Sequence, residues 1–354
     1  MMARRWSFYK DLLPVIVMIG IECNDTGLLT LFKAATNKGM SSHVFVAYAY
    51  AIATLVLLPA PFFSKRSGEL PKINFSILSK IALLGVIGSS SQILGYVGIS
   101  YSSPTLATSI GNLVPAFTFM LAVIFRMEKL AAKSRSSQAK VIGSIISISG
   151  AFVLTFYKGQ PIIITRTNLQ PFSILNNSVD PNWAIAGILL TADYLLASLW
   201  YILQVEVLKE FPDELTMVFF YNVTATIVTT TVGLFIEPSA SAWKIRLDMS
   251  LLSIICSGVF GKSMSNVVYA WAIHLKGPVY VTSFKPLAVV IAIAMGVMFL
   301  DDTLHVGSIF GATIVSIGLY TVLWGKAKEE AEEYVDNLES PSTENVPLLH
   351  SYKT

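Results

Sequence analysis

The stretch PTLATSIGNLVPAFTFMLAVIFRMEKL at 104–130 can be laid at a constant offset over PVYVTSFKPLAVVIAIAMGVMFLDDTL at 278–304. Both stretches begin with proline and are strongly apolar in the middle. Self-similarity at a fixed spacing indicates a duplicated unit, so the chain is predicted to contain two copies of one fold. The coinciding residues are Pro104/Pro278, Thr108/Thr282, Ser109/Ser283, Leu113/Leu287, Val123/Val297, Phe125/Phe299 and Leu130/Leu304, with the acids Glu128 and Asp302 also opposite each other.

The composition indicates that both copies lie in a membrane. Hydrophobic residues make up 54% of the chain and charged residues 13%, whereas ordinary soluble domains carry about 25% charged residues. A helix needs about 20 apolar residues to cross the hydrocarbon core of a bilayer. Such runs occur at 12–32, 44–63, 77–99, 104–125, 139–157, 183–205, 215–236, 249–274, 277–299 and 305–324. An all-α integral membrane protein with ten transmembrane helices is therefore predicted.

The duplication assigns five segments to each copy. Because five is odd, the second copy must start from the opposite side of the membrane, which gives a 5+5 inverted repeat. This arrangement is typical of secondary transporters, whose substrate sites lie near the bilayer midplane. The predicted parts are an N-terminus at 1–11, a first repeat at 12–157, an outer loop at 158–182, a second repeat at 183–324 and a disordered acidic tail at 325–354.

The connectors predict the orientation of the chain. Lys and Arg are concentrated in the N-terminus, the even-numbered connectors and the tail. Since positive residues are held on the cytoplasmic side, both termini are expected there. The outer loop contains Asn176-Asn-Ser178, an N-glycosylation acceptor pattern. The tail ends in Glu344-Asn-Val-Pro-Leu348-Leu349, which resembles the acidic dileucine signals that sorting adaptors bind. Both short patterns also arise by chance.

Four ionisable residues lie in the middle of apolar segments. In MIGIECNDTGLL at 18–29, Glu22 is ten residues from either end of its segment, hence about 15 Å deep at 1.5 Å rise per residue. Asp193, Lys262 and Lys285 occupy comparable positions. A charge at the bilayer centre costs roughly 2.5–3.5 kcal/mol on insertion scales, so such residues usually face a cavity or a partner. A shared polar cavity is predicted. The spacing leaves open whether Asp25 enters this cavity or points toward its outer mouth, and the mouth is the favoured expectation.

Two readings of these charges remain open at this stage. In the first, the lysines meet a substrate carboxylate, while Glu22 or Asp193 meets an ammonium group or exchanges a proton. In the second, an acid and a lysine form a permanent pair that only stabilises the fold. Such a pair costs desolvation and is often replaceable by apolar packing, which favours the first reading.

Further residues are expected around the cavity. Asn112, Tyr96 and Tyr269 are candidate substrate contacts, although many such aromatic residues only pack or lie at the membrane interface. Pro115 and Pro286 are expected to kink their helices, because each removes a backbone hydrogen bond. The carbonyl groups of Gly111 and Thr282 would be freed by these kinks.

Two stretches carry a resemblance to a known family. SIGNLVPAFTFMLAVIFRMEKL at 109–130 and KGPVYVTSFKPLAVVIAIAMGVMFLDDTLHVGSIFGATIVSIGLYTVLWGK at 276–326 resemble the plant nodulin-21-like, Walls-Are-Thin-related proteins. These UMAMIT carriers form part of the EamA branch of the drug/metabolite transporter superfamily. The resemblance implies the drug/metabolite transporter fold and transport of amino acids or related small organic acids, with auxin carried by some relatives. It also implies a vacuolar or plasma membrane location, with the endoplasmic reticulum as an alternative.

The expected function is therefore a secondary transporter or facilitator that works by alternating access. A sugar-phosphate or nucleotide-sugar carrier and a receptor or regulator with a carrier fold are the alternatives. No enzyme activity, cofactor, metal or nucleic-acid partner is expected. The expected partners are a small-molecule substrate, the lipid bilayer and a sorting adaptor at the tail, and a homodimer remains open.

Overall fold

The computed structural model describes residues 2–37, 39–62, 74–101, 107, 110–127, 134–157, 161–163, 181–245, 249–299 and 304–339. Within these residues, one short strand pair accompanies the helices. The α-helices are α1 Met2–Asn37, α2 Ser42–Leu57, α3 Phe75–Tyr101, α4 Val114–Ile124, α5 Arg135–Phe156, α6 Pro181–Glu210, α7 Glu214–Ile236, α8 Met249–Cys256, α9 Asn266–Lys276, α10 Pro278–Thr282, α11 Leu287–Phe299 and α12 Val306–Glu339. A π-helix at Ser257–Ser265 connects α8 to α9, and the strands β1 Pro161–Ile163 and β2 Leu304–His305 pair in antiparallel fashion.

Seven stretches of the described chain are long and apolar enough to cross a membrane. They confirm a multi-pass membrane protein. The other three of the ten expected segments contain α5 and two shorter apolar stretches, Val114–Ile124 and Pro278–Ala292. The seven stretches are Leu12–Phe32, Ser42–Phe62, Phe75–Tyr101, Ile185–Glu210, Glu214–Ile236, Met249–Lys276 and Ile309–Glu329.

The two stretches that coincide in the repeat are both interrupted. A turn at Asn112 and Leu113 precedes α4, and a turn at 283–286 separates α10 from α11. Pro115 lies in the first turn of α4, where a missing N–H breaks no helical hydrogen bond. Pro286 is the last residue before α11.

The expected proline kinks are therefore wrong, because both prolines stand where a new helix begins. The carbonyl of Thr282 is not freed, since it accepts a hydrogen bond from the Lys285 N–H at 3.0 Å. The turns interrupt the regular helical backbone inside these segments. Irregular backbone at membrane depth is tolerated where protein or a cavity surrounds it.

The π-helix is an irregularity that the sequence analysis did not anticipate. The wide turns of a π-helix change the regular α-helical pairing of backbone groups. Side chains then supply the hydrogen bonds that its buried carbonyl groups need. The Lys262 carbonyl accepts from Asn222 Nδ2 at 3.2 Å and from Asn266 Nδ2 at 2.9 Å. The Phe260 carbonyl accepts from Asn24 Nδ2 at 3.2 Å. The Lys262 segment is thus held by amides from α1, α7 and α9.

Helices α5 and α12 pack backbone to backbone. A Cβ atom on Gly318 would lie 2.4 Å from the backbone nitrogen of Ser147, and one on Gly143 would lie 2.7 Å from the Gly318 carbonyl oxygen. Small residues permit such close approach between membrane helices. At one end of the contact, buried Lys140 binds Glu329 with Nζ–Oε1 2.9 Å. The last helix of each expected repeat is therefore fixed against the other.

Gly318→Ala is expected to destabilise this contact, because the new methyl group would overlap Ser147. Overpacking of this kind costs roughly 1–3 kcal/mol. Gly187→Ala is the matched control, since nothing lies within 4 Å of a Cβ atom there. We expect a lower thermal unfolding midpoint in detergent for Gly318→Ala alone. Equal midpoints for both variants would refute the tight contact.

Candidate functional site

A cavity of about 280 Å³ lies between α1, α3, α6, α9 and the π-helix. The structure brings most of the sequence-predicted site residues into its lining. Asn112 is the exception, because the turn before α4 presents the flanking Gly111 and Val114 instead. The predicted residues that line the cavity are Glu22, Tyr96, Asp193, Lys262, Tyr269 and Lys285.

One side of the cavity contains a closed ionic cluster, which we call the Glu22 cluster: Glu22, Asp25, Tyr269 and Lys285. Lys285 Nζ lies 2.9 Å from Glu22 Oε1 and donates to the Tyr269 hydroxyl at 2.8 Å. Tyr269 in turn donates to Asp25 Oδ2 at 2.7 Å. The Glu22 side chain is 2% exposed. One cation and one phenol thus hold two carboxylates, of which Glu22 is buried and Asp25 is partly buried.

The position of Asp25 differs from the expectation. Its carboxylate lines the cavity and accepts from Ser265 Oγ at 2.7 Å as well as from Tyr269. The expected orientation toward the outer mouth is therefore wrong. Asp25 follows Glu22 by three residues and so shares its helix face. The unforeseen π-helix supplies the serine that turns Asp25 inward.

Lys262 is in a different state from Lys285. Its ammonium group donates to Gln92 Oε1 and lies 5.3 Å from the ring centroid of Tyr50 and 5.1 Å from that of Tyr96. Contacts of a cation with ring faces are attractive. Among the described residues no carboxylate lies within ion-pair distance of Lys262. This cation is therefore available to an incoming anionic group.

Asp193 is likewise without a cation in the described part of the chain. Its Oδ1 accepts from Ser91 Oγ at 2.5 Å. The side chain reaches the cavity because α3 has glycine opposite it. A Cβ atom on Gly95 would lie 2.3 Å from Asp193 Oδ2. The cavity thus presents one anion and one cation that are not bound to each other.

Gly95→Ala is expected to displace the Asp193 carboxylate and to lower transport several-fold. The added methyl group overlaps Oδ2, and overpacking costs roughly 1–3 kcal/mol. Gly20→Ala is the control, because nothing lies within 4 Å of its Cβ position. Substrate efflux per surface-expressed molecule is the measurement. Wild-type efflux from Gly95→Ala would contradict the role of this glycine.

Gln92 and Ser91 are site residues that the sequence analysis missed. Both line the cavity, where they bind Lys262 and Asp193 respectively. They belong to the run Ser89-Ser-Ser-Gln92, four consecutive polar residues in the middle of an apolar segment. That run was a usable signal, because polar side chains at this depth also seek a cavity or a partner.

Aromatic side chains make up much of the remaining wall. Two pairs contact each other edge to face, with centroid distances of 5.1 Å for Trp200–Tyr201 and 5.9 Å for Tyr201–Tyr269. Such a wall carries few charges. Its ring faces can contact an apolar or aromatic group of a substrate. The aromatic lining residues are Tyr96, Tyr194, Trp200, Tyr201, Tyr221 and Tyr269.

The charge of the lining differs from the expected balance of two acids and two bases. With Asp25 included, three carboxyl groups and two lysines line the cavity. If all five groups are ionised, the empty cavity carries one net negative charge. The cavity therefore favours the binding of a proton or of a substrate ammonium group. It disfavours an anion that binds without a cation.

Comparison with known proteins places this chain in a family. Residues 26–156 match the EamA-like transporter family. Three WAT1-related proteins of Arabidopsis thaliana are 49%, 47% and 45% identical, over 99%, 97% and 94% of this chain and 99%, 94% and 94% of theirs. A crystal structure of another protein shares the fold, with a TM-score of 0.62 at 13% identity, over 88% of this chain and 96% of that chain. The chain therefore belongs to the family of WAT1-related proteins.

Proposed function

We propose that this protein transports amino acids or related small organic acids, auxin among them, through the cavity. One observation carries the proposal: the lining holds a lysine and an aspartate of opposite charge that are not paired with each other. Lys262 would bind a substrate carboxylate, and Asp193 would bind an ammonium group. Charge-assisted hydrogen bonds of this kind are the strong ones in proteins. The aromatic wall would receive the side chain or the indole ring.

The proposed mechanism is alternating access by two five-helix halves, 12–157 and 183–324. In this arrangement ten helices form a 5+5 inverted repeat, and the interrupted segments before α4 and between α10 and α11 lie at the interface of the halves. Transporter folds use such broken helices around their binding sites. The sequence has no GxxxxGK[ST] phosphate loop, so the proposed transport is secondary or facilitated.

Proton coupling is proposed at Asp193 or Glu22. Asp193 is the better candidate, because Glu22 is already bound to Lys285, whereas no cation lies within ion-pair distance of Asp193 in the described chain. Protonation of Asp193 would remove the net negative charge from the cavity. An anionic substrate that binds together with this proton would then leave the net charge of the cavity at its value without substrate.

Location and partners are proposed from the sequence. Both termini would face the cytoplasm, in a vacuolar or plasma membrane, with the endoplasmic reticulum as an alternative. Asn176 and the tail residues Glu344, Leu348 and Leu349 lie outside the described residues, so glycosylation and adaptor binding remain proposals. A homodimer and the division into an N-terminus at 1–11 and an outer loop are proposals as well, and of the tail predicted as disordered at 325–354, residues 325–339 belong to α12.

A sugar-phosphate or nucleotide-sugar carrier fits the cavity less well. Phosphate groups need a surplus of cationic donors, and arginine or lysine clusters usually provide it. Here three carboxyl groups face two lysines, and one of those lysines is bound to Glu22. A zwitterion or a monocarboxylate is the better match.

The test is efflux from oocytes preloaded with labelled solutes. Neutral amino acids, indole-3-acetic acid and a sugar phosphate are compared at two external pH values, with Asp193→Asn beside the wild type. We expect efflux of amino acids or of the indole acid that responds to external pH, whereas the weak residual efflux of Asp193→Asn should not respond. Efflux of sugar phosphate alone would overturn the proposed substrate class. No efflux of any solute from surface-expressed protein would favour a receptor or regulator.

A further inference from the structure

A second cavity lies at the end of the molecule where α1 ends and α2 begins. Its volume is about 410 Å³, and its lining comes from the ends of α1, α3 and α7 and from the first turn of α2. We call it the α1–α2 cavity, and Thr36, Ser42, Ser100 and Glu237 are among the residues that line it. In the proposed topology this end faces away from the cytoplasm.

Three aromatic rings contact one another close to this cavity: Phe32 of α1, Phe45 of α2 and Tyr96 of α3. The ring centroids are 4.8 Å apart for Phe32–Phe45, 4.4 Å for Phe32–Tyr96 and 5.5 Å for Phe45–Tyr96. Phe32 and Phe45 are both 0% exposed. Tilted and edge-to-face contacts of this kind are favourable beyond the area that they bury. We call these three residues the aromatic layer.

The sequence of α1 places this layer between the two cavities. Leu28 lines the main cavity, and Thr36 lines the α1–α2 cavity. Phe32 lies four residues from each of them, and residues four apart are neighbours on one face of a helix. Along α1, the two cavities are thus separated by the thickness of one side chain.

Helices α2 and α3 show the same succession. Tyr96 lines the main cavity, and Ser100, four residues further along α3, lines the α1–α2 cavity. On α2, Ser42 lines the α1–α2 cavity, and Phe45 follows it three residues later. Each of the three helices thus contributes one ring between the two cavities.

The layer joins helices whose main packing partners differ. Helix α1 packs mainly against α8 and α11, whereas α3 packs mainly against α6 and α7. The Phe32–Tyr96 contact links these two helices through their side chains. A small sliding of one helix group against another is a common transition in proteins. Such a movement would part the rings while α1 and α3 each keep their main packing partners.

Lys262 connects this layer to the proposed substrate site. Its ammonium group lies 5.1 Å from the centroid of the Tyr96 ring. A cation is attracted to a ring face, and a substrate carboxylate would compete for the same ammonium group through a charge-assisted hydrogen bond. Binding of a carboxylate would thus weaken the contact that holds Tyr96 in the layer.

We propose that the aromatic layer is the closed gate between the main cavity and the α1–α2 cavity, and that Tyr96 couples its opening to a substrate carboxylate at Lys262. The inference rests on the proposed transport function and adds the route by which the substrate passes. Apolar constrictions exclude water and ions while they are closed. The coupling makes opening depend on the substrate.

The gate is tested by the reactivity of a cysteine in the main cavity. Ala197 lines that cavity, so Ala197→Cys is introduced into a Cys23→Ala/Cys256→Ala background, since both native cysteines are free. A membrane-impermeant, negatively charged methanethiosulfonate is applied to each membrane face in turn. Phe45→Ala removes one ring of the gate. Phe211→Ala is the matched control, because Phe211 is also 0% exposed but follows α6 at the opposite end of the molecule.

We expect Ala197→Cys to react slowly from the face at which α1 ends, which we call the α1–α2 face. Adding Phe45→Ala should raise this rate at least about tenfold, because the rate follows the population of the open state. Phe211→Ala should leave the rate unchanged. Phe45→Leu takes the place of the alanine variant if that variant does not accumulate. Equal rates with and without the Phe45 ring would overturn the gate, since the main cavity would then be closed elsewhere or reached by another route.

The coupling is tested with Lys262→Met and Lys262→Arg in the same reporter background. Loss of the ammonium group frees the Tyr96 ring, so we expect Lys262→Met to raise the labelling rate from the α1–α2 face several-fold. Lys262→Arg keeps a cation beside the ring and should restore the slow rate. Electrostatics alone would act in the opposite direction, because a nearby cation favours the reactive thiolate and attracts a negatively charged reagent. A rate in Lys262→Met at or below the parent value would overturn the coupling.

Failure of the gate and failure of the proposed function give different results. If Phe45→Ala leaves labelling unchanged while the cysteine-free background transports amino acids or the indole acid, the gate is wrong and the proposed function stands. If labelling responds as expected but neither that background nor the wild type transports any solute, the gate stands and the proposed function fails.

Discussion

Lys285→Met is expected to give a protein that unfolds easily or fails to accumulate. The change leaves the buried Glu22 and the partly buried Asp25 beside each other without the ammonium group that now lies 2.9 Å from Glu22 Oε1. Removing one partner of a buried ion pair typically costs about 3–5 kcal/mol, because the remaining charge is uncompensated. That is a large part of the stability of most proteins. Thermal unfolding of detergent-purified protein, together with membrane yield, is the measurement.

Two further variants separate the contribution of the Glu22–Lys285 pair to stability from its contribution to transport. Glu22→Gln/Lys285→Met removes both charges, so most of the lost stability should return. Lys285→Arg keeps the charge and should stay close to wild type in stability. If Lys285→Met unfolds at the wild-type temperature, the Glu22 cluster does not hold the fold together as described. If the double variant is both stable and fully active in transport, the pair is structural only.

The positions of the charged site residues could be predicted from the free-energy cost of placing a charge in the bilayer. A charge at the bilayer midplane is expensive, so Glu22, Asp193, Lys262 and Lys285 had to face a cavity or a partner. Depth follows from counting residues along a helix, which needs no tertiary information. The lining of one cavity by these four residues agrees with that reasoning.

Pairing within the cavity could not be predicted in the same way. Depth does not say which lysine meets which acid, and only the turn at 283–286 brings Lys285 beside Glu22. The inward position of Asp25 depends on Ser265 of the π-helix, a local distortion for which the sequence analysis used no signal. Side-chain partners are thus set by backbone irregularities, which periodicity does not report.

The helix interruptions near Pro115 and Pro286 show the same limit of prediction from the sequence. Pro115 and Pro286 were correctly seen as points where a regular helix is disturbed, but the disturbance was interpreted as a kink. A proline is compatible with a kink and with a helix start, because it lacks only the N–H that the first turn does not use. The aligned repeat, rather than the prolines, marks the break, since the turns before α4 and α11 fall at matching places.

Lys262→Met and Asp193→Asn are expected to lose transport without losing the fold. Neither side chain has an ion-pair partner among the described residues, so neither change leaves an opposite charge stranded. Each change removes one proposed charge-assisted contact with the substrate, worth roughly 1.5–3 kcal/mol. Since 1.4 kcal/mol is a factor of ten in affinity, binding should weaken about 10- to 150-fold. Efflux and thermal unfolding are measured on the same variants.

Lys80→Met is the matched control for loss of a lysine. Lys80 pairs with Glu210 in an exposed position outside the cavity lining, so its removal should change transport little. A stable Lys262→Met protein with wild-type efflux would remove Lys262 from the substrate site. An unstable one would mean that its contacts with Gln92, Tyr50 and Tyr96 hold the π-helix in place. If Lys285→Met lowers stability while Lys262→Met lowers transport, the two cavity lysines have different roles. Lys285 then stabilises the fold, and Lys262 binds the substrate.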